Sequence, residues 1–383
     1  MGYYVGFDLG GENIRTVLSD REGNFVTDII QEKNDKNNGA LGISRQMRDM
    51  LGQCIDENGV SFESIVAGGI SSAGPLDLKK FGGSIFNSTN IKLSDAEEVD
   101  IDNLPDNYVY RGNPLIEKVD GKKDERNIWI PLVDPVKDFL KKPVYLGNDV
   151  NTAVIGVVMF GEGSEYGNPR DMDYTGVATT HGRGFGAGVW ARGGVLEGVD
   201  GNAAECGHYK VVDEGIKCGC GNKGCAETFG SGTGTASNAV AKIIENDYKS
   251  KVYEKAFEKV YPKGPKLLNQ LMAGGPGIVL NKIDSKLVFD TFREFPNDKV
   301  AREVVEEAGK YIGRAYGMIA CSYNPYFIAT FGSVTNDWDL LEKSVLAEMK
   351  ESCNVRIPDV FVTKLGADVG LYGAIGRAIG YGK

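Results

Sequence analysis

Three apolar runs in this chain each end in a glycine-bearing loop, and that recurrence restricts the fold more than any other feature. Tyr3 to Asp8 runs into Gly10-Gly11, Ile65 to Ile70 into Ser71-Ser72-Ala73-Gly74-Pro75, and Tyr326 to Phe331 into Gly332-Ser333. A short apolar run bounded by turn signals reads as a buried strand, and the glycine after it lets the backbone bend sharply beside a ligand. Val17-Leu18 and Phe25-Val26 flank Gly23-Asn24 as a hairpin would. Helices are predicted between the strands, at 41–58 and at Asp149–Phe160 after the short strand Val144–Gly147. Val300 to Ile319 is apolar at Val304, Ala308, Tyr311, Ala315 and Ile319, with Gly309, Gly313 and Gly317 leaving room for a close neighbour. Asn324-Pro325 stops that helix, and a last apolar helix covers Ala367–Ile379. Strand, glycine turn and helix in repetition predict two α/β domains rather than one barrel. Residues 1–147 form the first, completed by the terminal helix at 367–383, and 148–366 form a larger second one.

A chain of 383 residues buries a core large enough that no metal is needed as its main source of stability. Its net charge of −10 argues against a broad nucleic-acid or anionic-membrane surface. The start passes straight into the first strand without the basic end and apolar core of a signal segment, and no apolar stretch is long enough to span a bilayer. A cytoplasmic protein with small-molecule partners is the expectation. Residues 95–127 are acidic and polar, with Asn103-Leu104-Pro105 and Gly121-Lys122-Lys123-Asp124 breaking periodicity, and read as a loop or lid leaving the core.

His208, Cys218, Cys220 and Cys225 use one of two histidines and three of seven cysteines within a short span. Three thiolates and an imidazole complete a tetrahedral Zn²⁺ site with no open position, which makes zinc structural; redox-active thiols are the other reading. Glu205 and Glu227 bracket the cluster, where their carboxylates either face one polyol or lie on the surface. The loops at Gly10-Gly11, Gly182-Arg183-Gly184-Phe185-Gly186 and Gly332 offer backbone N–H groups to phosphate, or serve only as turns. Asp8, ending a strand beside glycines, suits a hydrated Mg²⁺ or a plain turn. Arg15 sits near it or merely on the second strand. Asn148-Asp149 falls where a strand ends and a helix begins, so Asp149 is either an N-cap or a base that accepts a proton from a sugar hydroxyl. His181 either touches substrate or is hydrogen-bonded locally.

Across nearly its whole length the chain resembles the ROK family of sugar kinases and sugar-responsive repressors. The resemblance rests on Asp8-Leu-Gly-Gly-Glu-Asn-Ile-Arg15, on Asn148-Asp149-Val-Asn151, and most specifically on Glu205-Cys-Gly-His208 followed by Cys218-x-Cys220-Gly-x-x-Gly-Cys225-Ala-Glu227. It implies a two-domain actin-like (ribonuclease H-like) fold with ATP and Mg²⁺ in an interdomain cleft, and a homodimer or homotetramer. Asp149 is then the general base for the sugar 6-hydroxyl, and Asn90, Asn148, Glu205, His208 and Glu227 contact the ring. Gly10, Gly11, Gly182, Gly184 and Gly332 line the nucleotide side with Asp8 and Arg15. The sequence departs from the family pattern at Glu12, where threonine is usual, and at Ser88-Thr89-Asn90, which replaces a proline-asparagine approach to the sugar. The implied activity is ATP-dependent phosphorylation of a hexose, glucose first. N-acetylmannosamine or N-acetylglucosamine kinase comes next, then a sugar sensor without activity. A DNA-binding repressor is not expected, because Asp8 leaves no room before it for a helix-turn-helix.

Overall fold

The computed structural model describes residues 2–34, 39–86, 97–99, 115–119, 122–199, 201–262 and 276–380. Its first sheet is built around β1 (Tyr3–Leu9), which pairs antiparallel with β2 (Asn13–Ser19) and parallel with β4 (Ile65–Ser72). β3 (Ile30–Lys33) extends the β2 edge and β10 (Val144–Asn148) lies parallel to β4, giving the order β10-β4-β1-β2-β3. Val5, Phe7 and Leu9 alternate along β1 into one core with Ile14, Leu18 and Ile70, covered by Met47, Met50 and Leu51 of α1 (Gly39–Asn58). Val136 and Leu140 of α2 (Val133–Leu140) join the same core.

The parallel register brings three strand ends level. Asp8 lies opposite Ser71, Gly147 opposite Ser71 and Asn148 opposite Ser72. Helix α3 (Asp149–Phe160) starts directly from that edge. In open α/β sheets the carboxyl ends of parallel strands are where ligands bind.

Part of the expected loop at 95–127 is instead strand. β7 (Glu97–Val99), β8 (Leu115–Val119) and β9 (Lys122–Pro131) join β5 (Leu76–Asp77) and β6 (Ser84–Phe86) in the order β5-β6-β9-β8-β7. The pairing that fixes this sheet is remote: Ile85 meets Ile130 and Phe86 meets Trp129, so the polar local sequence carried no sign of it. The remainder of that segment lies outside the described residues.

A further sheet holds β11 (Thr175–His181), β12 (Phe185–Ala191), β13 (Gly194–Val195), β14 (Phe327–Phe331) and β15 (Asp359–Val362), ordered β13-β12-β11-β14-β15. The helices after it are α4 (Glu227–Gly230), α5 (Gly232–Glu245), α6 (Lys251–Val260), α7 (Ser285–Glu294), α8 (Lys299–Tyr323), α9 (Trp338–Glu351) and α10 (Val369–Ile379). The glycines of α8 do admit a close neighbour, which is α9: a Cβ at Gly313 would stand 2.5 Å from the Val345 carbonyl oxygen. Asn324 ends α8 in a left-handed conformation, as an asparagine tolerates.

Two compact units result, Met1–Ala178 with Gly188–Ala204 and Lys364–Lys383, and Thr179–Ala187 with Glu205–Thr363. The expected division after Gly147 falls inside the first of them. Helix α10 belongs to the first unit and is laid so tightly on β4 that a Cβ at Gly69 would be 1.9 Å from the Ala374 carbonyl oxygen. Among the described residues no helix is long and apolar enough to cross a membrane.

Candidate functional site

In the second unit, short turns gather the predicted metal ligands. Lys210 bridges to Cys225, and Val211 N–H donates to the Gly224 carbonyl at 2.8 Å, returning the chain beside His208. A smaller turn, with Cys218 N–H donating to the Asn222 carbonyl at 2.8 Å, sets Cys218 and Cys220 against Cys225. The ligand atoms of His208, Cys218, Cys220 and Cys225 all lie within 4.8 Å of one another. Cys220 and Cys225 sulfurs are 3.6 Å apart, and His208 Nδ1 is 3.5 Å from the Cys218 sulfur. Tetrahedral zinc with Zn–S bonds of about 2.3 Å holds its sulfurs about 3.7 Å apart. The donor set and its spacing therefore fit Zn²⁺. Burial raises the Cys218 thiol to about 12 and raises Cys225, while the backbone N–H of Asn222 lowers Cys220.

Glu227, at the start of α4, joins this cluster to the glycine loop between β11 and β12. One of its carboxylate oxygens accepts the Phe185 backbone N–H at 3.1 Å, and the other accepts from the Cys218 thiol at 3.5 Å. Glu205 stands at the rim with its pKa raised by burial, against the opposing charge of His208 and with the added repulsion of Glu227. Glu205, His208 and Glu227 thus share one neighbourhood.

Gly182 and Gly332 meet in the same unit. Gly332 has φ +106°, and a Cβ on it would stand 2.6 Å from the His181 carbonyl carbon, so the loop leaving β14 lies flat against the loop leaving β11. Gly182 accepts the Gly232 N–H at 2.8 Å, adding the start of α5. His181 beneath them is fully buried and takes the local alternative. The Gly230 carbonyl, 2.8 Å from Nδ1, can only accept, so Nδ1 carries the proton. Nε2 then accepts from the Tyr316 hydroxyl at 2.9 Å, and Tyr316 accepts from Thr179 at 2.7 Å. Burial lowers the His181 pKa to about 4, which keeps the ring neutral.

In the first unit, Asp8 faces Arg15 across the β1–β2 pair with 4.0 Å between carboxylate and guanidinium. Burial raises the Asp8 pKa and the Arg15 charge opposes it. Arg15 also donates to the Ala367 carbonyl at 2.6 Å and pairs with Asp368. Asp368 was missed by the sequence reading; its signal was an aspartate directly before an apolar helical run. Gly10 and Gly11 form the turn after β1, closed by Gly10 N–H donating to the Asn13 carbonyl at 3.0 Å. Glu12 is exposed on that turn, and its carbonyl accepts the Asn34 N–H at 2.8 Å.

Asn148 is the N-cap of α3, its side-chain oxygen accepting from Val150 N–H at 3.1 Å and Asn151 N–H at 3.4 Å. Asp149 is therefore the first helical residue rather than the cap, with one carboxylate oxygen accepting Val150 N–H at 2.9 Å. Asn90 lies outside the described residues.

Residues 122–379 match the ROK family. A glucokinase of Halalkalibacterium halodurans is 26% identical over 375 residues, spanning 97% of this chain and 93% of that one. Among solved structures, a ROK hexokinase from Thermus thermophilus superposes with a TM-score of 0.67 at 21% identity, covering 98% of this chain and 97% of that chain. A ROK family glucokinase from Streptomyces griseus in complex with glucose and AMPPNP gives a TM-score of 0.62 at 22% identity, covering 98% of this chain and 99% of that chain. This chain belongs to the ROK family and has the α/β fold of its sugar kinases.

Proposed function

We propose that the protein is an ATP-dependent sugar kinase that phosphorylates the 6-hydroxyl of a hexose, glucose being the leading substrate. One observation carries the reading: Asp8 and Asn148 lie at the carboxyl ends of the two strands that flank β4 in parallel, one register position apart, and Asp149 opens the helix that follows. Similarity to the two glucokinases and the hexokinase supports it.

Asp149 takes the proton from the sugar hydroxyl as that oxygen attacks the terminal phosphate. Glu205 and Glu227 accept hydrogen bonds from ring hydroxyls. His208 turns Nδ1 toward the thiols and leaves Nε2 to bond the sugar. Asn148 spends its oxygen on the helix cap, so its amide group remains for a ring oxygen. Gly10 and Gly11, and in the second unit Gly182, Gly184 and Gly332, present backbone to the nucleotide. Asp8 orients the hydrated Mg²⁺ of Mg-ATP, which neutralises charge on the phosphates. Zinc at His208, Cys218, Cys220 and Cys225 shapes the loop carrying Glu205 and Glu227, with no part in bond making.

Coupled ADP release with Mg-ATP across glucose, mannose, fructose, N-acetylglucosamine and N-acetylmannosamine tests this. Glucose is expected to give the highest kcat/KM, and Asp149→Asn to lose about 10²- to 10⁴-fold in kcat while remaining folded. Unchanged turnover in Asp149→Asn rejects the general base. No turnover with any sugar rejects the kinase reading, and preference for an N-acetylhexosamine rejects glucose.

A further inference from the structure

We infer that Arg377, held by Glu197, is a positioning residue for Asp149, an inference that rests on the general-base reading above. Arg377 sits in α10 among Val, Gly, Leu, Tyr, Ala and Ile residues, and its side chain is only 5% exposed. Burying a cation in such surroundings is costly unless its donors find partners.

The partners it finds surround one turn of backbone. Nε donates to the buried Thr152 hydroxyl oxygen at 3.1 Å, and Nη2 forms an ion pair, without a hydrogen bond, at 2.8 Å from a carboxylate oxygen of Glu197. The flat guanidinium also fills the space over Gly147, where a Cβ would be 2.1 Å from Nε and 2.3 Å from Cζ. Gly147 belongs to β10 and Thr152 to α3, so this one group touches both the strand and the helix that meet at Asn148-Asp149. Asn151 makes a second tie, donating to the Gly201 carbonyl at 3.3 Å. Gly201 is in the same segment as Glu197. The strand end, the first helical turn, Glu197 and Gly201 are thereby fastened around the base.

Placement of this kind matters because a base works only within hydrogen-bond reach of its proton, and a displacement of about 1 Å can cost about 100-fold in rate. Glu197 has a separate task. It neutralises the guanidinium, so the cation can pack beside the turn without standing as an uncompensated charge.

The test uses the full-length protein, Mg-ATP and the best sugar of the panel, with Asp149→Asn measured alongside. Thr152→Val removes one hydrogen bond at nearly constant volume, Glu197→Gln removes the neutralising charge, and Arg377→Met and Arg377→Lys vary the cation. Expected are kcat losses of about 10-fold in Thr152→Val and Glu197→Gln and about 100-fold in Arg377→Met, with partial recovery in Arg377→Lys and unchanged KM for ATP. A purely structural role would lower the melting temperature but leave kcat per folded molecule intact, and that result overturns the inference. If Arg377→Met does not fold, Thr152→Val and Glu197→Gln decide the matter, and kcat within twofold of wild type in both overturns it. Should Asp149→Asn itself keep full turnover, the base assignment fails and takes the inference with it. An inactive Asp149→Asn beside fully active Thr152→Val and Glu197→Gln removes the positioning role alone.

Discussion

Acid should weaken the second unit through His181. The ring is fully buried between the Gly230 carbonyl and the Tyr316 hydroxyl, and burial lowers its pKa to about 4. An unfolded chain titrates its histidines near 6.5. Because the folded value is the lower one, the unfolded state binds the proton first, and native stability falls as pH drops from about 6.5 toward 4. Integrated between pH 7.5 and 4.5, the difference in proton binding amounts to about 2.5 kcal/mol. His181→Gln keeps a donor for Gly230 and an acceptor for Tyr316 while removing the titration. Urea unfolding followed by circular dichroism at the two pH values should show the wild type losing about 2.5 kcal/mol more than the variant. Carboxylates elsewhere titrate in both proteins and cancel in the comparison. Parallel losses would refute the argument, since they would mean the native ring takes up its proton as readily as a free one.

Two further outcomes follow from the site. Wild-type protein should retain zinc through dialysis while Cys220→Ser loses most of it, measured by atomic emission; comparable zinc in both would remove Cys220 from the ligand set. Gly332→Ala puts a Cβ 2.6 Å from the His181 carbonyl carbon at a φ of +106°, so the two loops must part. The KM for ATP is expected to rise about tenfold or more, equivalent to about 1.4 kcal/mol, and an unchanged KM would take Gly332 away from the nucleotide.

What the sequence disclosed was local. The cysteines of the candidate metal cluster are brought together by turns a few residues long, so their closeness was legible in their spacing. The apolar spacing of α8 and its glycines foretold both a long helix and a near neighbour. Features that depend on distant pairing stayed hidden. The strands at 97–99, 115–119 and 122–131 exist because β9 pairs with β6, about forty residues earlier, and polar residues on such strands resemble loop. The role of Arg377 had no local sign, because Thr152 and Glu197 lie far back in the chain. The N-cap alternative considered for Asp149 belongs to its neighbour: both asparagine and aspartate suit that position, and the observed hydrogen bonds choose Asn148.

The lid that α10 places over Gly69 has a consequence for the order in which a ribosome delivers this molecule. The second unit is made almost wholly of one stretch, Glu205–Thr363, and is complete before α10 is synthesised. The first sheet is translated long before its covering helix. Val17 of β2 meets Leu371 and Ile375 of α10 in a buried cluster, so this apolar face waits uncovered while the intervening chain is made. Strands β1 and β2 are made hundreds of residues ahead of the helix that closes them.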